Sequence, residues 1–319
     1  MGQRGSNTNA QDAVIVSNLQ KYYGKEQAVK GISFSVAQGE IFTIVGPNGS
    51  GKTTTMEIIE GIRTPSSGDI TVLGGNPREQ KIREQLGVQI QDSQPMNNLT
   101  PLEAAKLFRS FYKSGVKPLD AIESVNLIEK KNSLVRNLSS GEKKRLELAL
   151  ATINNPGIVF LDEPTTGLDP NARRVVWDII KKLKRNHTSV LFTTHYMDEA
   201  EAISDRVAIL YRGQIVALNS PERLISDSGL HDRISFTYTS RQMDFVEELK
   251  QRFASVWVKE DLVLVSGPDA REDLRMVLAL AEAHHASIDK LTVRTPNLED
   301  VFLSKAGSIY PDYRTNRSL

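Results

Sequence analysis

Short apolar runs separated by glycine-rich turns recur through the first two thirds of the chain. Three of them, 40–45, 158–161 and 189–193, are rich in β-branched and other apolar residues and have the length of buried parallel strands. Between such runs, segments such as 101–112 place apolar residues at helical spacing, with Thr100 positioned as an N-cap. The alternation of strands and helices predicts an α/β domain built on a mixed sheet.

The pattern changes after about residue 225, where strands and helices follow the order β-α-β-β-α-β over 233–294. This order is typical of a ferredoxin-like α+β domain. The predicted organisation is a disordered tail over 1–12, a first domain over 13–225 with a helical insert at about 92–150, and a small second domain over 228–319. The second domain contains no acid pair, metal-ligand spacing or glycine loop, which favours a regulatory or interaction role.

Composition narrows the possible classes of function. Forty Lys and Arg residues against 39 Asp and Glu residues argue against broad nucleic-acid binding, which needs a basic excess or stripe. No cysteine is present, which excludes disulfides, thiolate metal sites and a cysteine nucleophile. No apolar stretch approaches the roughly 20 residues that span a bilayer, and no signal-peptide core occurs near the start. The chemistry must therefore reside in local motifs.

The most specific motif has the form G-x-x-x-x-G-K-[ST] and reads Gly46-Pro47-Asn48-Gly49-Ser50-Gly51-Lys52-Thr53. It lies between the predicted strand at 40–45 and a predicted helix over 52–60. Its glycines let backbone N–H groups converge on phosphate oxygens, and the helix N-terminus favours anions. Lys52 is expected on the β- and γ-phosphates of a nucleotide, and the Thr53 hydroxyl on Mg²⁺. An ordinary glycine-rich turn is the alternative.

Two carboxylates end one apolar strand, and a histidine ends the next. Asp162 and Glu163 follow strand 158–161 and are expected at the carboxyl edge of the sheet, where α/β proteins bind ligands. One acid can hold Mg²⁺ while the other orients or deprotonates water. His195 follows strand 189–193 and could reach a γ-phosphate. The alternatives are solvated edge charge for the acids and a structural role for the histidine.

Two further segments are ambiguous when they are taken alone. Ser139 precedes a predicted helix that runs to about Thr152, and the first turn of that helix could bind a phosphate or simply carry a cap. Tyr23, beside a turn at Gly24, could stack on a nucleobase or pack within its strand. The residues themselves leave both alternatives open.

Taken in chain order, these segments resemble an ATP-binding-cassette (ABC) ATPase subunit over about 13–225. The resemblance is carried by Tyr23, 46–53, Gln91, 138–142, 158–163, 167–169 and His195. The set in this order is highly specific and implies a P-loop NTPase fold. The segment 295–303 is similar to the tail of bacterial drug and antibiotic exporters of the ABC-2 class, whose ATPase subunits carry a C-terminal domain of similar size.

The resemblance implies a role for each matching residue. Glu163 would be the catalytic base, His195 the switch histidine on the γ-phosphate, and Gln91 the link between the metal site and a membrane partner. Tyr23 would stack on adenine, and Asp169 would be the acid of a cross-subunit loop. Mg²⁺ would be held by Thr53, Gln91 and Asp162. The residues implied to bind ATP are Tyr23, Gly46, Pro47, Asn48, Gly49, Ser50, Gly51, Lys52, Thr53, Thr54, Ser139, Gly141, Glu142 and Asp169.

The signature segment departs from the family pattern L-S-G-G-Q. Ser140 replaces a glycine and Glu142 replaces the glutamine, whereas Ser139 and Gly141 are retained. Glu142 places a negative charge near an anionic ligand. We therefore expect slower turnover or weaker closure of a dimer, with activity retained.

The resemblance implies an ATPase that uses ATP and Mg²⁺ to power transport. It implies a head-to-tail homodimer with ATP between the loop of one copy and the signature segment of the other, and a multi-spanning membrane permease as partner. The chain would be peripheral, on the cytoplasmic face of the membrane, with no nucleic-acid partner. Export of a drug-like, antibiotic or lipid-like substrate is expected. The alternatives are an importer ATPase and a soluble cassette mechanoenzyme, which favours two cassettes, a long coiled coil or a basic arm, none of them found in this sequence.

Overall fold

The computed structural model describes residues 12–89, 96–238, 243–253 and 255–309. Contacts divide the chain into two compact units, with the division between Pro221 and Glu222. The boundary expected from the sequence, at 225–228, lies a few residues further along. Every predicted site residue belongs to the first unit.

The strands and helices of the two units are numbered in chain order. The strands are β1 (Asp12–Tyr23), β2 (Glu26–Ala37), β3 (Ile41–Val45), β4 (Ser67–Val72), β5 (Leu86–Val88), β6 (Ile158–Asp162), β7 (Ser189–Thr194), β8 (Arg206–Tyr211), β9 (Gln214–Asn219), β10 (Arg233–Tyr238), β11 (Ser255–Lys259), β12 (Leu262–Ser266) and β13 (Ile288–Arg294). The helices are α1 (Lys52–Ile59), α2 (Gln80–Arg83), α3 (Pro101–Ser110), α4 (Pro118–Ser124), α5 (Ser140–Ala151), α6 (Pro170–Arg185), α7 (Met197–Ile203), α8 (Pro221–Ser226), α9 (Met243–Arg252), α10 (Ala270–Ala283) and α11 (Leu298–Ile309). Within the described part of the chain, no helix has both the length and the apolarity needed to cross a membrane.

A six-stranded sheet in the order β5-β6-β7-β3-β8-β9 forms the centre of the first unit. Its strands are parallel except for β9, which pairs antiparallel with β8. The strands β3, β6 and β7 are buried over their whole length, which explains their continuous apolar sequences. Because parallel strands end at one edge of a sheet, the segments that follow these three strands meet there.

A second, antiparallel sheet of β2, β1 and β4 completes the mixed α/β architecture. Val14 and Leu19 of β1 belong to the same buried cluster as Met56 of α1 and Phe42 of β3. The ring of Phe34 stacks on that of Phe42 with centroids 5.1 Å apart. This shared core holds α1, and with it the glycine loop, between the two sheets.

Helices α3, α4 and α5 form the helical insert. Thr100 caps α3 in a capping box, because its hydroxyl accepts from the Glu103 N–H while the Glu103 carboxylate accepts from the Thr100 N–H. Buried side chains such as Ala104, Ile122 and Leu148 pack in one cluster with side chains of the central sheet and α6. The insert is therefore continuous with the core of the first unit.

The second unit has the ferredoxin-like arrangement predicted from the sequence. Its strands lie in the order β11-β12-β10-β13, and every neighbouring pair is antiparallel. Phe236 of β10 packs with Phe245 of α9 and Leu280 of α10, so the two helices share one core with the sheet. Helix α11, which follows β13, has no counterpart in the sequence prediction.

Candidate nucleotide-binding site

The loop between β3 and α1 requires glycine at two positions. A Cβ at Gly46 would lie 2.1 Å from the backbone oxygen of Leu210, and one at Gly51 would lie 2.7 Å from that of Ala28. Gly51 also has a φ of 103°, a left-handed conformation that other residues rarely adopt. These two glycines let the loop turn tightly into α1 against its neighbours.

The N-terminus of α1 is open to an anion. Its N-cap residue is Gly51, which has no side chain to cap the helix, so N–H groups of the first turn remain available. The ammonium of Lys52 folds back over the loop and donates to the backbone oxygens of Gly46 at 2.9 Å and Pro47 at 3.2 Å. The loop therefore presents a cation and several N–H donors at one place.

Two buried groups in the loop, the Lys52 ammonium and the Ser50 hydroxyl, could gain further acceptors from a bound anion. Burial lowers the pKa of Lys52, and this effect outweighs the nearby Glu163 carboxylate, which opposes it. The Ser50 hydroxyl is also buried and has no hydrogen-bond partner among the residues that the structure describes. Buried polar groups are normally satisfied. A polyphosphate chain would supply acceptors for both of these groups.

Glu163 connects the loop to the predicted histidine at the edge of the central sheet. Its Oε1 lies 3.6 Å from Nζ of Lys52, and its Oε2 lies 3.2 Å from Nδ1 of His195. The Thr166 hydroxyl donates to the same Oε2 at 2.9 Å. Glu163 has a φ of +47°, an unusual value for a non-glycine residue. The structure thus brings together three predicted site residues from three separate segments.

The surroundings of Glu163 favour its ionised form. Burial alone would raise the pKa of this carboxyl, but the hydrogen bond from Thr166 and the interactions with Lys52 and His195 outweigh burial and lower the pKa. An ionised carboxylate beside a phosphate-binding loop can accept a proton from water.

Thr193, which the sequence analysis does not identify, links the two acids. Its hydroxyl donates to Oδ1 of Asp162 and accepts from the backbone N–H of Glu163 at 3.1 Å. Thr193 lies near the end of β7, whose neighbour β6 ends in the acids. Thr193 could have been identified from the sequence as a site residue, because it ends a strand predicted to lie beside the strand that carries the two acids. Thr193 fixes the orientation of both carboxyl-bearing residues.

The His195 ring packs against an aromatic ring, which in turn contacts a cation. The Tyr196 ring lies 4.0 Å from the His195 ring, and the Arg173 guanidinium lies 4.2 Å from the centroid of Tyr196. Arg173 also pairs with Asp198 at 3.3 Å. These contacts join α6 and α7 to the segment that carries the histidine.

Glu199 is a second residue that the sequence analysis misses. It is completely buried in α7, where burial raises its pKa. Its carboxyl oxygens accept from the Trp177 indole at 2.8 Å and from the Thr165 hydroxyl at 2.9 Å. Glu199 therefore ties the segment after His195 to the turn that follows the acids.

The predicted adenine-stacking residue lies beside the start of α1. Tyr23 ends β1 and is 41% exposed, and its hydroxyl lies 3.4 Å from that of Thr54. Thr53, the predicted Mg²⁺ ligand, is exposed. Both side chains are thus accessible to a ligand in the loop.

The signature segment forms a cluster of its own. Ser139 caps α5 in a second capping box, in which its hydroxyl accepts from the Glu142 N–H at 3.2 Å and its own N–H donates to Oε2 of Glu142 at 2.8 Å. The Ser139 N–H lowers the pKa of Glu142, helped by Lys130, whose Nζ lies 4.0 Å from the carboxylate. In the described structure, no hydrogen bond or ion pair joins Ser139 or Glu142 to the loop at 46–53.

Two other predicted residues lie apart from this arrangement. Asp169 caps α6, and its carboxylate accepts from the N–H groups of Asn171 at 2.9 Å and Ala172 at 3.0 Å. Gln91 lies outside the described residues. The structure thus assigns Asp169 a capping contact and leaves the predictions for Gln91 as predictions.

Three comparisons with known proteins agree on one family. A family model described as ABC transporter matches residues 29–166. The chain is 31% identical to the linearmycin resistance ATP-binding protein of Bacillus subtilis (strain 168), across 92% of this chain and 98% of that protein. It is 34% identical to the Nod factor export ATP-binding protein I of Rhizobium meliloti (strain 1021), across 92% of this chain and 88% of that protein.

The solved structures give the same result for the fold. The dimeric structure of MJ0796, a bacterial ABC transporter cassette, superposes with a TM-score of 0.58 at 27% identity, covering 65% of this chain and 98% of that one.

The chain belongs to the ABC transporter family, and its relatives include ATP-binding proteins of antibiotic resistance and of export. It is an ATPase whose ATP hydrolysis powers export.

Proposed function

We propose that the chain is the peripheral, cytoplasmic-face ATPase of an exporter for a drug-like, antibiotic or lipid-like substrate. The observation that carries the proposal is the contact of Glu163 with both Lys52 and His195 at the mouth of the glycine loop. The substrate class follows the relatives, one named for linearmycin resistance and another for Nod factor export.

Each side chain at the sheet edge would have a separate role in ATP hydrolysis. Lys52 and the N–H groups of α1 would bind the β- and γ-phosphates and stabilise charge that develops on the γ-phosphate oxygens. The ionised Glu163 would take a proton from the attacking water at Oε2, and His195 would hold that carboxylate and contact the γ-phosphate. Thr193 keeps Asp162 and Glu163 oriented while this occurs.

The oxygen ligands present suit Mg²⁺. The Thr53 hydroxyl is exposed in the first turn of α1, and Asp162 ends β6, which β7 separates from β3 in the sheet. Together they supply the hard oxygen donors that Mg²⁺ prefers. Gln91 is the further ligand proposed from the sequence. Among the described residues, no group of three or more His, Cys, Asp or Glu side chains could hold a metal ion. When bound, Mg²⁺ would neutralise phosphate charge.

A second copy of the chain would complete the site in a head-to-tail dimer. The hydrogen bonds of Ser139 and Glu142 stay within the signature segment, so this segment is available to a nucleotide held by another chain. Gly141 and Asp169 would contribute to the same interface. The relative MJ0796 has been solved as a dimer, which supports this arrangement.

A groove in the first unit is a suitable place for a permease segment. It has a volume of about 280 Å³ and is lined by Glu60, Ile62, Arg83, Leu86, Phe108 and Tyr112. Beside it, Phe111 is 68% exposed at the end of α3. We propose an apolar cytoplasmic segment of the permease as its occupant. Leu86 in the groove belongs to β5, which pairs with β6. A displacement of the groove by the permease would therefore be transmitted through β6 to Asp162 and Glu163.

The substitution Glu163→Gln tests the assignment of the base. The variant should bind ATP and accumulate as a dimer, because binding residues are retained while proton transfer is lost. Gel filtration with ATP and measurement of phosphate release would report the two effects. The exposed carboxylate Glu84 provides a matched control, since Glu84→Gln should hydrolyse ATP normally. Full turnover by Glu163→Gln would contradict the proposed role.

Recovery of the native complex from membranes tests the partner. The tagged full-length chain should bring down a protein with several membrane spans, and the exposed-ring variant Phe111→Ser should recover less of it while keeping ATP binding. Consistent recovery of ribosomes or DNA instead would overturn the transport assignment of this chain.

A further inference from the structure

Two cations contact the ring of Tyr23. The guanidinium of Arg63 lies 5.3 Å from the ring centroid, and the ammonium of Lys21 lies 5.4 Å from it. Both distances are within the range of cation–π attraction. The ring is also held at its hydroxyl, which lies 3.4 Å from that of Thr54 in the first turn of α1. Tyr23 is therefore held on a ring face and at its hydroxyl.

The end of α1 is built so that Arg63 reaches this ring. Gly61 has a φ of +78°, and a Cβ there would lie 2.8 Å from the backbone oxygen of Pro77, so the reversal requires glycine. The N–H groups of Ile62 and Arg63 both donate to the backbone oxygen of Glu57 at 2.9 Å. The reversal folds Arg63 back along α1, the helix that carries the phosphate-binding end.

The side chain of Arg63 is anchored by the same residue that anchors its backbone. Its Nε donates to Oε2 of Glu57 at 2.6 Å. Lys21 is anchored next to it, because its Nζ donates to the backbone oxygen of Thr64 at 2.8 Å. Both cations therefore approach the ring from the side of segment 63–64. Tyr23 as a residue remains 41% exposed, which leaves room for a ligand beside it.

The Glu57–Arg63 ion pair is only half-buried and therefore contributes little to stability by itself. Its effect on the ring is more specific. The faces of aromatic rings are electron-rich, and a cation on one face draws that density away and fixes the ring plane. A purine, whose own face is electron-rich, would then stack more favourably on the open part of the ring.

We infer that Arg63, with Lys21 in support, is a positioning residue for the nucleobase, acting through the ring of Tyr23. The inference rests on the stacking role proposed for Tyr23. It predicts that Arg63 strengthens binding of the adenine moiety and has no effect on binding of the phosphates.

A double-mutant cycle on the full-length chain tests this coupling. The dissociation constant for ADP would be measured by calorimetry for wild type, Arg63→Met, Tyr23→Ala and the double variant, with inorganic pyrophosphate as the probe without a base. Arg63→Met should weaken ADP binding about two- to fivefold and leave pyrophosphate binding unchanged. The double variant should bind ADP no more weakly than Tyr23→Ala alone. Lys21→Met should show a smaller effect of the same kind.

Arg78→Met is the matched control, because Arg78 lines the same cleft as Arg63 and donates instead to the Thr64 hydroxyl. It should leave ADP binding unchanged. If Tyr23→Ala weakens ADP binding but Arg63→Met does not, or if the two effects are additive, the inference is wrong while the stacking role stands. If Tyr23→Ala itself has no effect, the stacking role fails and the inference with it. Equal loss of pyrophosphate binding in Arg63→Met would show a general structural effect and overturn the inference.

Discussion

Helices α1 and α5 both begin at segments expected to bind ATP, but the charged residues at their N-termini have opposite signs. α1 begins with Gly51 and no cap, and its first residue is the buried cation Lys52. α5 begins with Ser139 and Glu142 in a complete capping box. Cations oppose the dipole at a helix N-terminus, and anions complement it. The start of α1 is thus unfavourable in isolation, and that of α5 is favourable.

The C-terminal end of α1 also has an ionisable group whose charged form the helix dipole disfavours. Its C-cap is Glu60, a buried carboxyl at the negative end of the helix dipole. Burial, together with the charges of Asp162 and Glu57, raises the pKa of Glu60 to about 8. Burial and the helix dipole therefore disfavour the charged form of the group at each end of α1, and Glu60 is mostly protonated at neutral pH. Such local conflicts are expected where a segment is shaped for a ligand. α1 is adapted to bind phosphate, whereas α5 is already satisfied before any ligand arrives.

Lys52→Met should have the largest effect, because it removes the cation from the open N-terminus of α1. We expect ATP hydrolysis to fall by about 10²–10³-fold, the range seen when one charge-stabilising donor is lost. The free energy of unfolding without nucleotide should rise, since a buried ammonium is replaced by an apolar chain. Phosphate release and urea denaturation measure the two effects. Lys181→Met on the exposed side of α6 is the control. An active Lys52→Met with unchanged stability would show that Lys52 neither stabilises the reaction nor destabilises the start of α1.

Glu60→Gln should remove the titratable carboxyl at the other end of α1. A carboxyl with a raised pKa stabilises the fold fully below its ordinary pKa near 4.5 and loses that advantage as the pH rises toward 8. The wild type should therefore lose stability between pH 4.5 and 8, whereas the variant should not. At pH 7 the variant should be more stable by roughly 3 kcal/mol. Thermal unfolding across this pH range measures the difference, with exposed Glu84→Gln as control. Parallel profiles for wild type and Glu60→Gln would refute the prediction.

Ser139→Ala and Thr100→Ala form a matched pair, because both residues cap a helix through the same box. Each should lower the free energy of unfolding by about 1 kcal/mol. Only Ser139→Ala should also reduce ATP hydrolysis, by about tenfold, if its segment contacts the γ-phosphate of a second chain. Denaturation and phosphate release would be measured on both proteins. Equal activities of the two variants would show that Ser139 is a cap and nothing more.

Glu142→Gln should have the smallest effect and should make α5 more like the family pattern. Removing the carboxylate charge should raise turnover severalfold, because a neutral side chain repels the phosphates less. It should lower the free energy of unfolding by about 0.5 kcal/mol through the lost dipole interaction. Since the folded pKa of Glu142 is lowered, this difference is present above the ordinary pKa near 4.5 and disappears as the pH falls through the folded value. Unchanged or lower turnover would show that the charge does not hinder the reaction.

Several elements could be predicted because their signals are local. The helix at Pro101–Ser110 has its cap and apolar spacing in its own sequence, and the strands β3, β6 and β7 are continuous apolar runs. α7 could not be predicted in this way, because it has only seven residues and includes Glu199, an acid that is buried. An acid is normally a surface residue. Only its bonds to Trp177 and Thr165 explain its position.

The sequence by itself determined the fold class, the phosphate loop and the order of the site segments, since each depends on residues close together in the chain. The tertiary structure alone decided that Lys52, Glu163 and His195 touch, because parallel strands carry distant segments to one edge. It also revealed Thr193 between the acids and Arg63 against Tyr23. These contacts arise from strand pairing and from a helix reversal, which act between positions that no local pattern connects.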